Sequence, residues 1–267
     1  MIGELDRTME YFDAHIHLTD IEYSNYLENI LFSLKSMDMK ACSVTVNIET
    51  TKRSFDIFSN SGEIVSQFVG IHPQYVLTDD LDIFKELVES NLDRVDGIGE
   101  IGLDPTYCVG NEKDYEIQKK KFHDLLEIAE KYEKPISIHS RKSLDDILHV
   151  LPSYSIKNRL LHWFAGSRKQ LKKAMEMEFY VSYGPVLLYS PDKKVLLSNT
   201  DQEKILVETD GPVRYSNCFN YLPSSSISCL VSVINYVGEI LDLNFEEVKK
   251  ILKSNSENFL GKKISCN

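Results

Sequence analysis

Asp13, His15 and His17 alternate with apolar residues in the segment YFDAHIHLTD, residues 11–20. Side chains two apart on a strand point the same way, so this spacing lays an acid and two imidazoles on one face of an apolar strand. Two packed imidazoles repel on protonation, whereas a divalent metal ion uses both lone pairs. Five of the seven histidines fall near the C-terminal ends of strand-like runs: His15, His17, His72, His139 and His162. Glu100 in GIGEIGLDP and Asp210 in VETDGP join them. Imidazole nitrogens and carboxylate oxygens converging from several strand ends, with room for water, are what a hydrolytic metal centre requires. Each residue alone has a plainer reading. A buried His can simply be hydrogen-bonded, Glu100 can pair with a barrel lysine or arginine, and Asp210 can cap the turn before Gly211 and Pro212. Their common phase at successive strand ends favours the metal. Carboxylate and imidazole donors without thiolate suit Mg, Mn or Zn. Asp13, deeper in the strand, is expected behind the ligands, orienting His15 or a neighbouring strand, with Glu208 in a similar supporting role. His123 and His149 fall on helical stretches and are expected to be solvated or packed.

The elements that must position these residues alternate along the chain. Strand-like runs cover 11–17, 41–48, 64–71, 95–103, 135–140, 159–164, 179–184 and 204–210. Helix-like stretches cover 23–37, 51–60, 79–91, 112–133, a helix from 142 or 143, 167–177, 191–199, 223–241 and 244–256, the last with Asn244 as its cap. Short apolar runs alternating with helices mean parallel strands joined by right-handed crossovers. Eight such units in 267 residues predict a closed (β/α)8 TIM-like barrel, with an open doubly wound sheet as the alternative. No linker or low-complexity tract interrupts residues 1–267, so one domain is expected. In a barrel all strand C-termini open on one face, which is where the imidazoles and carboxylates would meet.

Bulk composition narrows the function classes. Hydrophobic content of 42% and charged content of 27% suit a globular chain with a substantial core. No apolar run is long enough to span a membrane, and the N-terminus lacks the pattern of a secretory signal. The five scattered cysteines, an odd number without a C-x-x-C pair, read as reduced thiols, and a cytoplasmic location is expected. A net charge of −11 argues against a long groove that coats nucleic acid. It leaves room for a nuclease that holds one phosphate at bound cations, which invert the local field.

In their order and spacing, FDAHIH, GIHP, GEIGLD, IHSR, LHWFAGS and VETDGP resemble the TatD family of metal-dependent deoxyribonucleases, within the amidohydrolase-like superfamily. An H-x-H pair alone is common; the whole series, from residue 11 to about residue 261, is specific. The resemblance implies a TIM-like barrel holding two divalent ions. It places His15 and His17 on the first ion, Glu100 between the two, His139 and His162 on the second, and Asp210 beside the first ion and the attacking water. His72 and Arg141 match positions near the scissile phosphate. The implied reaction is hydrolysis of a phosphodiester in DNA, from an end or in a single strand. Asp210 would orient or deprotonate the water, Arg141 would fork onto phosphate oxygens, and His72 would donate a hydrogen bond or act as general acid.

The chain departs from the family pattern at three places. Trp163 stands where Cys or a small residue is usual, TDGPVRY replaces the frequent TDSPYL, and Asn258 follows the retained Asn255 where Arg is common. Trp163 is a candidate for stacking on a base, or a plain aromatic at the barrel mouth. These variants also resemble a divergent branch with members in antiviral defence cassettes. Two other functions use the same residues. One is hydrolysis of an ester or amide, such as an aminoacyl-nucleic acid, on the same centre. The other is an accessory subunit that keeps the barrel to bind a partner, which predicts a missing ligand; none is missing.

Overall fold

The strand-like runs pair in the order in which they occur. In the computed structural model, which describes residues 10–59, 61–108, 112–215 and 227–264, eight parallel strands form one sheet of order β1 to β8. They are β1 (Tyr11–Ile16), β2 (Met39–Val44), β3 (Val65–Val69), β4 (Gly97–Gly102), β5 (Ile136–His139), β6 (Arg159–Leu161), β7 (Tyr180–Tyr183) and β8 (Ile205–Val207). The helices between and after them are α1 (Leu27–Ser36), α2 (Ile48–Ile57), α3 (Leu81–Ser90), α4 (Glu112–Lys131), α5 (Leu144–Val150), α6 (Arg168–Glu176), α7 (Pro191–Leu197), α8 (Ile227–Leu241) and α9 (Phe245–Leu260). This is the expected (β/α)8 barrel.

The sheet curls until β1 meets β8. The seam is bridged by two backbone bonds, His17 N to Gly211 O and Asp210 N to His15 O, both 2.8 Å. Beneath them the Asp13 carboxylate accepts from Thr209 N at 3.0 Å and Thr209 Oγ1 at 2.6 Å. Asp13 therefore does the work of a ladder bond between the first and last strands. Around the barrel, the outward residues of the strands pack against the helices in one continuous apolar core that includes Phe12, Phe68, Phe122, Phe179 and Phe259. Asn255 on α9 is buried and its Nδ2 donates to Gln202 O and Ile205 O, which ties the last helix to the start of β8.

Element ends differ from expectation where side chains compete for the backbone. The Asn47 side chain and Thr50 form a capping box, so α2 begins at Ile48 instead of residue 51 and β2 ends at Val44 instead of 48. The stretch expected to be helical from 23 opens as a short 3₁₀ turn, Ile21–Tyr23, before α1 begins at Leu27. Strands β6 and β8 end at Leu161 and Val207, short of 164 and 210, and beyond them the backbone turns left-handed at Trp163 (φ 42°) and Asp210 (φ 51°). Asn244 caps α9 as expected, and the helix runs on to Leu260, where Gly261 at φ 66° ends it. The expected start of the helix over 223–241 lies outside the described residues, as do Cys218 and Cys266; Cys42 and Cys108 are free thiols. Among the described residues no helix is long and apolar enough to cross a membrane.

Candidate metal centre

Two strands bend where they must aim a ligand inward. The β1–β2 register shifts between Asp13 and Ile16, around His15, and the β4–β5 register shifts between Ile98 and Ile101, around Glu100. Such irregularities turn side chains out of the regular alternation. Glycines make the space. A Cβ on Gly70 would lie 2.5 Å from the Gly99 carbonyl carbon, and one on Gly102 (φ 151°) would lie 2.0 Å from His139 O. Strands β3 and β5 can thus close on the backbone that carries Glu100.

The structure brings His15, His17, Glu100, His139, His162 and Asp210 into one cluster at the strand C-termini, with His72 at its edge. Glu100 is the hub. Its Oε2 lies 3.6 Å from His15 Nε2 and 3.5 Å from His17 Nε2. Its Oε1 lies 2.9 Å from His139 Nδ1, 2.8 Å from His162 Nε2 and 3.6 Å from His72 Nε2. Asp210 Oδ1 completes the first group, 3.7 Å from His15 Nε2 and 3.4 Å from His17 Nε2, while those two nitrogens are 3.3 Å apart. Ligand bonds of about 2.0–2.2 Å to a tetrahedral ion give donor–donor edges of about 3.3–3.6 Å. The spacings among His15, His17, Asp210 and Glu100 Oε2, 3.3–3.7 Å, lie at or close to those edges, so that donor set fits a divalent ion, whereas His139 and His162 approach Glu100 Oε1 at the hydrogen-bond distances of 2.9 and 2.8 Å.

A second layer fixes which nitrogen each imidazole offers. His17 Nδ1 donates to Val44 O at 2.9 Å, which leaves the Nε2 lone pair facing the cluster. His15 Nδ1 contacts Ser137 Oγ at 2.9 Å. His139 Nε2 lies 2.9 Å from Asp104 Oδ2, so that His139 presents Nδ1 instead. Asp104 was not singled out in the sequence; its signal is its place at the end of GEIGLD, but an Asp before Pro ordinarily reads as a turn cap. Behind His162, Glu208 Oε1 accepts from Trp163 N at 2.8 Å and stands 3.9 Å from His162 Nδ1, which has no hydrogen-bond partner among the described residues. Asp13 accepts from His15 N at 3.2 Å as well as from Thr209. Both acids thus stand behind the cluster, where the sequence put them.

The remaining expected residues surround the cluster unequally. His72 Nδ1 accepts from Gln74 N at 3.1 Å, so the neutral ring carries its proton on Nε2 and directs a donor towards Glu100. Arg141 is exposed just beyond β5 and makes no ion pair among the described residues. Trp163 is half-buried and stacks on Tyr215, centroids 5.5 Å apart at 27°. Tyr215 is itself buried and donates to Thr209 O. His123 and His149 lie on α4 and α5, away from the centre, and His123 contacts Tyr154 Oη.

A family model described as TatD related DNase matches residues 12–261. The chain belongs to that family. It is accordingly a metal-dependent hydrolase. Among its relatives, the Bacillus subtilis protein named uncharacterized metal-dependent hydrolase YabD is 27% identical over 254 residues, covering 92% of this chain and 97% of the relative. Human deoxyribonuclease TATDN3 is 24% identical over 261 residues, covering 91% and 92%. Among solved structures, the Escherichia coli TatD homologue YjjV superposes with a TM-score of 0.82 at 20% identity, covering 94% and 98%, and carries the same barrel.

The cluster of this TatD-family protein sets its acids and imidazoles against one another. Burial works against the charge of Glu100, yet His72, His162, His139 and His15 overcome it and hold its carboxyl well below the usual range. Burial and the neighbouring His162 push His15 down to about 4, and burial takes His72 to about 4. Burial also opposes protonation of His17, but Asp210 and Glu100 outweigh it and raise it to about 9. His139 rises to about 9 in the same way, through Asp104 and Glu100. Burial raises Glu208 to about 8, against the pull of His162.

Proposed function

We propose that the protein hydrolyses phosphodiester bonds in DNA, at ends or in single strands, with two divalent ions of Mg, Mn or Zn held on either side of Glu100. His15, His17, Asp210 and Glu100 Oε2 would hold one ion; His139, His162 and Glu100 Oε1 would hold the other. The observation that carries this reading is the division of labour at Glu100, each of whose oxygens faces its own imidazole pair. Ions bound there lower the pKa of water and neutralise phosphate charge. The chain's own groups do the rest. Asp210, whose backbone is fixed to β1 through His15 O, orients the attacking water and takes its proton. His72 donates from Nε2 to a phosphate oxygen; with Nδ1 occupied as an acceptor, the ring acts as a neutral hydrogen-bond donor and not as a general acid. Arg141, free of carboxylate partners among the described residues, forks onto the non-bridging oxygens. Trp163 offers an aromatic face beside His162 for a base.

The test uses EDTA-stripped protein on end-labelled single- and double-stranded DNA, restoring Mg, Mn and Zn in turn, with an ester and an amide substrate alongside. Metal-dependent cleavage of DNA is expected, faster on single strands. Turnover of the ester or amide with intact DNA would assign the centre to acyl chemistry, because the fold does not choose the bond.

A further inference from the structure

The barrel mouth carries an aromatic ring that the proposed chemistry leaves unused. Tyr107 ends the 3₁₀ turn Pro105–Tyr107 that follows β4, and it is 41% exposed. The turn is firmly held. Asp104 Oδ1 accepts from Thr106 N at 2.9 Å and from Thr106 Oγ1 at 2.6 Å, while Oδ2 meets His139 Nε2. One carboxylate therefore fixes both a proposed ligand and the turn that presents Tyr107. The Tyr107 ring lies perpendicular to His72, centroids 5.6 Å apart at 82°. Burial, then Asp104 and Glu100, push its hydroxyl upward while Arg141 pulls against them, so the charge of Arg141 reaches the same ring. Trp163 and its backing residue Tyr215 follow β6 and β8. In a barrel whose strands run in order from β1 to β8, Tyr107 follows β4, Trp163 follows β6 and Tyr215 follows β8, opposite β4. The Tyr107 and Trp163 positions thus flank β5, which carries His139, at the mouth where the donor cluster opens.

We propose that Tyr107 and Trp163 determine specificity by stacking on the two bases that flank the scissile phosphate, which restricts cleavage to unpaired nucleotides. This rests on the phosphodiesterase reading of the same centre. In a duplex, the faces of each base are covered by its neighbours, whereas an unpaired base has a face to give. Stacking tolerates every base, since each has a π face, so the grip selects strandedness and not sequence. Tyr107 supplies the ring on the side of His72 and Arg141; Trp163 supplies the ring on the side of His162 and Asp210.

The experiment compares wild type with Tyr107→Ala, Tyr107→Leu and Tyr107→Phe. Binding of a fluorescein-labelled single strand is read by anisotropy with Ca in place of the activating ion, and KM and kcat are read with Mn. Alanine and leucine variants are expected to bind and to show KM values about five- to a hundredfold weaker, the factor for losing one base stack. Their kcat and metal content should stay near wild type, and Tyr107→Phe should match wild type throughout. A second substrate carries a base-free tetrahydrofuran residue at each position flanking the mapped cut. At one of the two positions wild type should lose the same factor, and Tyr107→Ala should lose nothing further there. Unchanged binding in both Tyr107→Ala and Tyr107→Leu, loss of metal in either, or full multiplication of the two penalties would overturn the stacking role. A wild type that cleaves no DNA with any metal would instead remove the underlying phosphodiesterase reading.

Discussion

Asp104→Asn changes one atom and one charge at a residue that stands behind the proposed ions. In the native site, Asp104 Oδ2 lies 2.9 Å from His139 Nε2 and can only accept, which keeps one His139 proton on Nε2 and leaves Nδ1, 2.9 Å from Glu100 Oε1, as the nitrogen whose proton an incoming ion would displace. An Asn that keeps its oxygen on Thr106 turns its NH2 towards His139. Two donors then face each other, and the relaxed arrangement keeps the His139 proton on Nδ1, where an ion should bind. Loss of such an outer partner weakens metal affinity by about ten- to a hundredfold, equivalent to about 1.4–2.7 kcal/mol. Proton competition partly masks the effect at neutral pH. Burial opposes the charge on His139, but Asp104 and Glu100 raise it to about 9, so an incoming ion must expel a proton below that pH, and the variant relieves some of this cost. The assay is therefore calorimetric titration of Mn into EDTA-stripped wild type and variant at several pH values up to the top of that range. The weaker of the two binding steps should fall by the predicted factor, most clearly at the highest pH, while the first step stays close to wild type. Equal affinity for both ions and equal turnover in Asp104→Asn would refute the tautomer argument.

Three further outcomes are expected. Glu100→Gln keeps the shape of the hub but removes the charge that faces both imidazole pairs, so activity should be lost together with at least one equivalent of metal, measured by elemental analysis after dialysis. Arg141→Lys keeps the charge and loses the fork, so turnover on DNA should drop about ten- to a hundredfold, the effect of one charge-assisted hydrogen bond, with metal content unchanged. The stability of the metal-free protein should fall as pH rises from the ordinary histidine pKa to about 9, because over that range the folded protein binds more protons, at His17, His139 and Glu208. Between about 4 and the ordinary histidine pKa, the depressed His15 and His72, which make stability rise with pH, are opposed by the raised Asp13 and Glu208, which make it fall, so stability should stay nearly level. Melting temperatures across this range check both parts, and saturating Mn should flatten the fall.

The ligand series was legible because acids and imidazoles are expensive in apolar strands. His15, Glu100, His139 and His162 each interrupt such a run, and their shared position at strand ends converts separate anomalies of sequence into one site. The order of strands followed from the alternation of apolar runs and helices. Asp104 stayed hidden because its two oxygens do different jobs: Oδ1 caps a turn, as any Asp before Pro does, and only the fold shows Oδ2 on His139. Ser137 and Ser182 were equally silent, since a serine in a strand carries no mark of the His15 or Glu208 that it will meet. Boundaries slipped where one side chain decided them, as at Asn47, or where Trp163 and Asp210 left the extended region to aim towards the mouth. The position of Tyr107 beside His72 depends on the Asp104 anchor, and no periodicity reports that.

The seam between β1 and β8 ties construction of the barrel to construction of its site. Asp13 and Thr209 are 196 residues apart in sequence, and the two backbone bonds above them run through His15, His17, Asp210 and Gly211. The bonds that close the cylinder are made by the residues that carry the first donor trio. A chain emerging from the ribosome therefore holds His15 and His17 long before it holds Asp210, and the trio comes into being only when the eighth strand docks. Joining ends so distant in sequence is entropically costly and comes late in assembly. A partly made or truncated protein then lacks a complete site, so hydrolytic competence is withheld until the last βα unit is in place.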